Sequence, residues 1–165
     1  MALTQYCEFD EVRAALGVNN LELPDTVLSL PIYEMGLSRE LAKISASLPA
    51  AFSTASDSSP EARTSEQQAL FDSVRLFSAY AVAKQVGVSL AAMVPKDVSD
   101  GKASVSRFSD APYRDVLARV EAMYAGCRAD VAAAYDDLAG ATRTSSTTPA
   151  AIFRGARRTY DPVTG

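Results

Sequence analysis

The sequence predicts an all-α fold: a small bundle of about four helices with a short hairpin-like turn and an extended C-terminal arm. Three observations carry this. Apolar residues recur every three to four positions through 65–94 and 111–140, the period of one helix face. Gly17, Pro24, Pro95 and Gly140 stand at the ends of periodic runs, where helices start and stop. The last 25 residues then change character, losing apolar content before aromatic and basic residues return together. A chain of 165 residues suits one domain with a tail, divided here into a helical domain at 1–140 and an arm at 141–165.

Segment 9–16 reads as a short helix. Phe9, Val12 and Leu16 share a face, Asp10 and Glu11 suit the positive end of the helix dipole, and Gly17 is a stop. Segment 24–47 reads as a second helix, with Pro24 at its first position and an approximate stripe of Leu23, Val27, Leu30, Leu37, Leu41 and Ile44. Pro31 should kink or split it at about Leu30, because proline lacks the N–H and clashes with the preceding turn. Residues 48–64, with Ser53-Thr54-Ala55-Ser56-Asp57-Ser58-Ser59-Pro60 at their centre, read as a long exposed loop.

Segment 65–94 is a third helix, capped by Ser65 or Thr64. Leu70, Val74, Phe77, Ala81, Val88 and Ala92 follow one face, widened by Phe71 and Leu90, and Gly87 is a weak point. Asp100-Gly101 is a tight-turn dipeptide, so 96–108 reads as a small hairpin or extended loop. Segment 111–140 has the clearest periodicity, through Val116, Leu117, Val120, Met123, Tyr124, Cys127, Val131, Ala134, Tyr135 and Leu138. Asp115 and Arg119 make an i,i+4 pair on its polar face, and Gly140 is its expected C-cap. Thirty helical residues would span ~45 Å.

The end of the chain leaves two readings open. Thr142-Arg143-Thr144-Ser145-Ser146-Thr147-Thr148-Pro149 is too polar to drive its own ordering. Ile152, Phe153, Arg154, Arg157, Arg158 and Tyr160 then follow closely. These arginines are either incidental to a tail or part of a docking arm with aromatic anchors, and the return of aromatics favours docking. Fully extended, such an arm reaches up to ~80 Å, far enough to lie on another subunit.

Charge and composition exclude several functions. There is no histidine, which removes Ser-His-Asp and Cys-His catalysis, His-ligated zinc and a histidine pH switch. The net charge is −4, yet residues 1–149 carry −6 and residues 150–165 carry +2, an acidic body with a basic end. That balance disfavours free-standing DNA recognition. Asp136 and Asp137 are adjacent and so diverge on a helix, and Asp97 and Asp100 flank a turn without the further oxygen ligands that calcium needs. Neither a nucleophile elbow nor a phosphate-binding glycine loop occurs, so no ordinary enzyme, cofactor or metal site is expected. Cys7 and Cys127 have no disulfide or metal spacing and suit a reducing cytoplasm. The N-terminus lacks a signal-peptide pattern, and no apolar stretch has the ~18 residues of a membrane helix.

Phe9-Asp10-Glu11-Val12-Arg13-Ala14-Ala15-Leu16-Gly17-Val18, followed by Glu22-Leu23-Pro24-Asp25, Val27-Leu28 and Leu30-Pro31 with Tyr33, resembles the opening of tailed-bacteriophage head–tail connector proteins. These are also called adaptor, neck or head-completion proteins. The turn Ser99-Asp100-Gly101-Lys102-Ala103-Ser104-Val105-Ser106-Arg107-Phe108, placed before a long last helix, is similar to the same family, and the likeness covers about 8–140. The resemblance implies an all-α bundle assembling as a ring, typically of twelve copies, below the portal of a filled capsid. Its partners would be the portal protein, a downstream neck or tail protein, and double-stranded DNA passing through without specific binding; no membrane is involved.

On that reading the protein belongs to the virion neck and is assembled in the host cytoplasm. The portal-docking role falls to Ile152, Phe153, Arg154, Arg157, Arg158 and Tyr160. The 48–64 loop and the turn bearing Lys96, Asp97, Asp100, Lys102 and Arg107 become candidates for ring or lumen contacts. The competing reading is a helical DNA-binding or regulatory module with a basic tail, which predicts salt-sensitive DNA affinity needing Arg154, Arg157 and Arg158.

Overall fold

A computed structural model describes residues 3–93, 97–99, 104–106 and 114–146, with side-chain environments over 3–89 and 114–140. After a 3-10 turn at Leu3–Gln5, the chain forms α1 (Phe9–Leu16), α2 (Asp25–Leu28), α3 (Pro31–Ile44), α4 (Leu48–Asp57) and α5 (Ser65–Met93). It continues through β1 (Asp97–Ser99) and β2 (Ser104–Ser106) to α6 (Arg114–Ser146). The fold is all-α, with one small antiparallel hairpin between its two longest helices.

α1 begins where the Glu8 backbone N–H donates to Glu11 Oε2 at 2.8 Å, satisfying an amide that would lack a helical partner. It ends at Gly17 as expected, with φ of 69°, a left-handed conformation open to glycine without a Cβ penalty. Asn19 organises the following turn: its Oδ1 accepts from the backbone N–H groups of Leu21 at 2.9 Å and Glu22 at 3.1 Å.

The expected 24–47 helix is split at the place anticipated. Pro24 is the N-cap of α2 rather than its first helical residue, and Pro31 opens α3. Leu30 between them is extended, as the residue before a proline prefers.

The 48–64 loop expectation is corrected. Most of it is α4, in which Pro49 occupies the first turn, where its missing N–H costs nothing. Leu48, Phe52 and Ala55 share a helix face and are buried. Phe52 stacks on Tyr6 at 5.0 Å and on Phe71 at 5.4 Å between ring centroids. Arg63 then closes the C-terminal end, donating through Nε to the Ala55 carbonyl at 2.7 Å with its guanidinium 4.0 Å over the Phe71 ring.

α5 is the central element and packs against α1, α3, α4 and α6. Thr64 and Gln67 cap it reciprocally: the Gln67 N–H donates to Thr64 Oγ1 at 3.3 Å, and the Thr64 N–H donates to Gln67 Oε1 at 3.0 Å. Because four helices surround it, burial extends beyond one stripe to Leu70, Val74, Phe77, Ala79, Ala81, Val82, Ala83 and Val86. Val88, assigned to the core stripe by periodicity, is instead 82% exposed.

α5 and α6 run antiparallel. Phe77 faces Tyr124, Lys84 pairs with Glu121, and Gly87 faces Leu117, so position numbers rise on one helix as they fall on the other. Gly87 has a packing role: a Cβ there would collide with a methyl of Leu117, so its bare backbone permits the close approach. The buried stripe of α6 is Val120, Tyr124, Cys127 and Val131, whereas Met123 is exposed. Asp115 lies 3.7 Å from Arg114, in place of the expected pair with Arg119.

Gly140 does not cap α6, which runs on to Ser146, so the first six residues assigned to the arm are helical. A glycine inside an exposed helix costs only ~1 kcal/mol relative to alanine, too little to end a helix flanked by Ala139 and Ala141. The hairpin pairs Asp97 with Ser106, Val98 with Val105 and Ser99 with Ser104, in keeping with the expectation for 96–108.

Candidate interaction surfaces

Of the sequence-selected residues, Asp97 opens β1 opposite Ser106. Lys96, Asp100, Lys102 and Arg107 lie outside the described residues, as do Ile152, Phe153, Arg154, Arg157, Arg158 and Tyr160. The described surface offers two grooves that sequence reasoning missed.

The larger lies between α1 and α5 and encloses ≈ 530 Å³. Its apolar lining is Ala14, Ala15, Leu76, Ala79 and Tyr80. Leu76 is 48% exposed and Tyr80 partly so, four residues apart and off the stripe that periodicity identified. That second apolar pair is the sequence signal for the groove.

Its polar end is built around Arg75. The guanidinium donates through Nε to Glu11 Oε1 at 2.7 Å and through Nη2 to Glu8 Oε1 at 2.9 Å, tying the start of α1 to α5. Asp72, exposed on the same side, accepts from the Gln68 amide at 2.9 Å. Two carboxylates thus hold the one guanidinium, and with Asp72 also in the lining the groove mouth is net acidic.

The second groove, ≈ 390 Å³, lies between α3 and α6 and is lined by Lys43, Ile44, Ala125, Arg128, Ala129 and Ala132. Lys43 pairs with Glu40 at 2.6 Å, and Arg128 makes the rim basic.

Arg13 is 6% exposed and forms a hub between α1 and the α1–α2 turn. It donates to the Leu23 carbonyl at 2.9 Å, to Asp10 Oδ1 at 2.6 Å and to Asn20 Oδ1 at 3.1 Å, and it also pairs with Asp25. A guanidinium can hold this fork of acceptors where an ammonium cannot. On the opposite side, Tyr124 donates its hydroxyl to Glu40 Oε2 at 2.7 Å, and Lys84 lies 4.2 Å over its ring. The Lys43 and Tyr124 hydrogen bonds hold the Glu40 carboxyl below its ordinary pKa. Burial, followed by the Glu40 contact, pushes the Tyr124 phenol up to about 12. This pairs an ionised carboxylate with a neutral phenol and ties α3 to α6.

Burial, with Glu11 adding to it, raises the Cys7 thiol to about 12; burial also raises Cys127. Both cysteines are free and buried. Among the described residues, no group of His, Cys, Asp and Glu is arranged to hold a metal, and no helix is long and apolar enough to cross a membrane. No protein-family model, curated protein or solved structure matches the chain.

Proposed function

We propose that the chain is a structural virion protein, a ring-forming head–tail adaptor of a tailed bacteriophage. In this role it binds the portal, extends the DNA channel and joins the capsid to the next neck or tail component. The observation that carries the reading is the likeness of Phe9–Val18 and Glu22–Tyr33 to the opening of connector proteins. Those residues supply the α1–α3 corner, with Val12, Leu16, Leu23, Leu28 and Tyr33 buried and Arg13 at its hub. The all-α bundle is the architecture that the likeness implies.

Work of this kind is done by surfaces, without a catalytic centre, cofactor or metal. Twelve copies around the portal axis would multiply the affinity of each arm, because each added contact forms at high effective concentration. The body's net acidity suits a conduit, since a wall that neutralised few phosphates would let double-stranded DNA slide without holding it. The site of action is the virion neck, after assembly in the host cytoplasm.

Co-sedimentation with portal rings of the cognate phage tests this. The full chain is expected to form a ring-sized complex only when portal is present. A chain lacking 149–165 should keep its helical circular dichroism and lose attachment; full attachment by the truncated chain would sink the arm's role. A full chain that ignores portal but binds DNA at low salt through Arg154, Arg157 and Arg158 would replace the connector reading with the DNA-binding one.

A further inference from the structure

We propose that the groove between α1 and α5 seats this chain's own C-terminal segment, with Tyr160 against Ala14, Ala15 and Ala79 and with Arg157 and Arg158 facing Asp72 and the Glu8–Glu11 pair. This goes beyond the connector reading and does not depend on it.

Charge selects the groove. The segment from 150 to 165 carries Arg154, Arg157 and Arg158 against Asp161. The α1–α5 groove is lined by Glu11 and Asp72 against Arg75, whose second partner is Glu8, whereas the α3–α6 groove is lined by Lys43 and Arg128, of the same sign as the segment, with Glu40 paired to Lys43. Arg75 already serves two carboxylates, and among the described residues no cation pairs with Asp72. An incoming arginine therefore meets an acceptor without displacing an existing ion pair, and charge-assisted bonds of this kind are the stronger ones.

Shape agrees. Three alanines with Leu76 and Tyr80 line the groove, and its ≈ 530 Å³ has room for an aromatic ring and the residues beside it. Tyrosine flanked by arginines is the composition that anchors such sites.

Reach selects the anchor. The groove lies level with Tyr124, because Phe77, next to Leu76, faces Tyr124 across the bundle. From Tyr124 to the end of α6 at Ser146 is ~33 Å of helix. Phe153, seven residues past Ser146, reaches back at most ~25 Å and falls short. Tyr160, fourteen residues past it, reaches ~48 Å, enough for the axial distance and the step across the surface. A tether of this length gives an effective concentration on the order of millimolar, which favours the chain's own segment over that of another copy.

The test uses the full chain with p-benzoylphenylalanine in place of Tyr160, irradiated and digested for mass spectrometry. The expected product runs at monomer mass, joins position 160 to residues 11–15 or 72–80, and has a yield independent of protein concentration. Asp72→Lys, an exposed substitution, should cut that yield at least fivefold, as should Arg157→Glu with Arg158→Glu in the otherwise unchanged chain. Circular dichroism checks that each variant is folded. Cross-links outside the groove, cross-links only between chains, or a yield unmoved by Asp72→Lys would each overturn the proposal. No portal is present, so failure here leaves the connector reading standing.

Discussion

Tyr124 of α6 donates its hydroxyl to Glu40 of α3 at 2.7 Å, across 84 positions of sequence. Tyr124→Phe removes one charge-assisted bond and is expected to cost ~1.5–3 kcal/mol in urea denaturation. The same pair sets a pH signature. The folded Glu40 carboxyl sits below its unfolded value, so its contribution is present above the unfolded value and fades as pH falls through the folded one. The folded Tyr124 phenol is raised to about 12, so its contribution is complete below the unfolded value and is lost as pH rises through that number. Tyr124→Phe should reduce the alkaline component, as read from denaturation midpoints across pH 9 to 12, and leave the part that the raised Cys7 and Cys127 thiols contribute.

Arg13→Met strands the buried Leu23 carbonyl, while the exposed Asn20 can turn its amide oxygen to water. Asp10 and Asp25 are exposed enough to rehydrate, which limits the loss to ~1–3 kcal/mol. Hydrogen exchange should localise the effect, with protection falling first at the amides of Leu21, Glu22 and Leu23. Arg13→Lys is expected to recover only part of it, since an ammonium cannot reproduce the fork.

Gly87→Val is expected to destabilise the fold by ~1–3 kcal/mol, the usual cost of overpacking a close contact. The blocking group is the end of the Leu117 side chain, so adding Leu117→Ala should relieve the clash while introducing its own cavity. A double-mutant cycle by thermal denaturation should therefore show coupling between the two sites, and strict additivity would contradict the close approach.

Cys7 and Cys127 should resist a thiol reagent at pH 8 in the native protein, because the thiolate is the reactive species and burial disfavours it at both sites. Urea should release two equivalents together. Rapid native labelling of Cys7 would mean that the N-terminal turn opens locally.

The long helices were legible because their apolar residues recur over many turns, and the Pro31 break was legible because proline acts locally. α4 was not: Ser53, Thr54 and Ser56 give its exposed side a loop-like composition. What makes it a helix is the burial of Leu48, Phe52 and Ala55, a tertiary effect spread over only two turns. The hub role of Arg13 has no signal in the sequence, since nothing local announces that Asp25 and the Leu23 carbonyl will fold back onto it. The α1–α5 groove depends on how the small face of α1 settles beside Leu76 and Tyr80, and helical period alone does not specify that pairing. Residues 147–165, where the docking expectations fall, lie outside the described residues.

The extension of α6 through Gly140 makes the helix a ruler. By the Phe77–Tyr124 and Lys84–Glu121 register, α6 continues about eight residues, or ~12 Å, beyond the level of Ser65 at the start of α5. Whatever the last residues grasp, their starting point stands beyond the level of Ser65 by a countable length. Removing one helical turn from that overhang would shorten the stand-off by ~5.4 Å while nearly preserving its rotational phase, whereas removing two residues would swing the departure point to the far side of the helix.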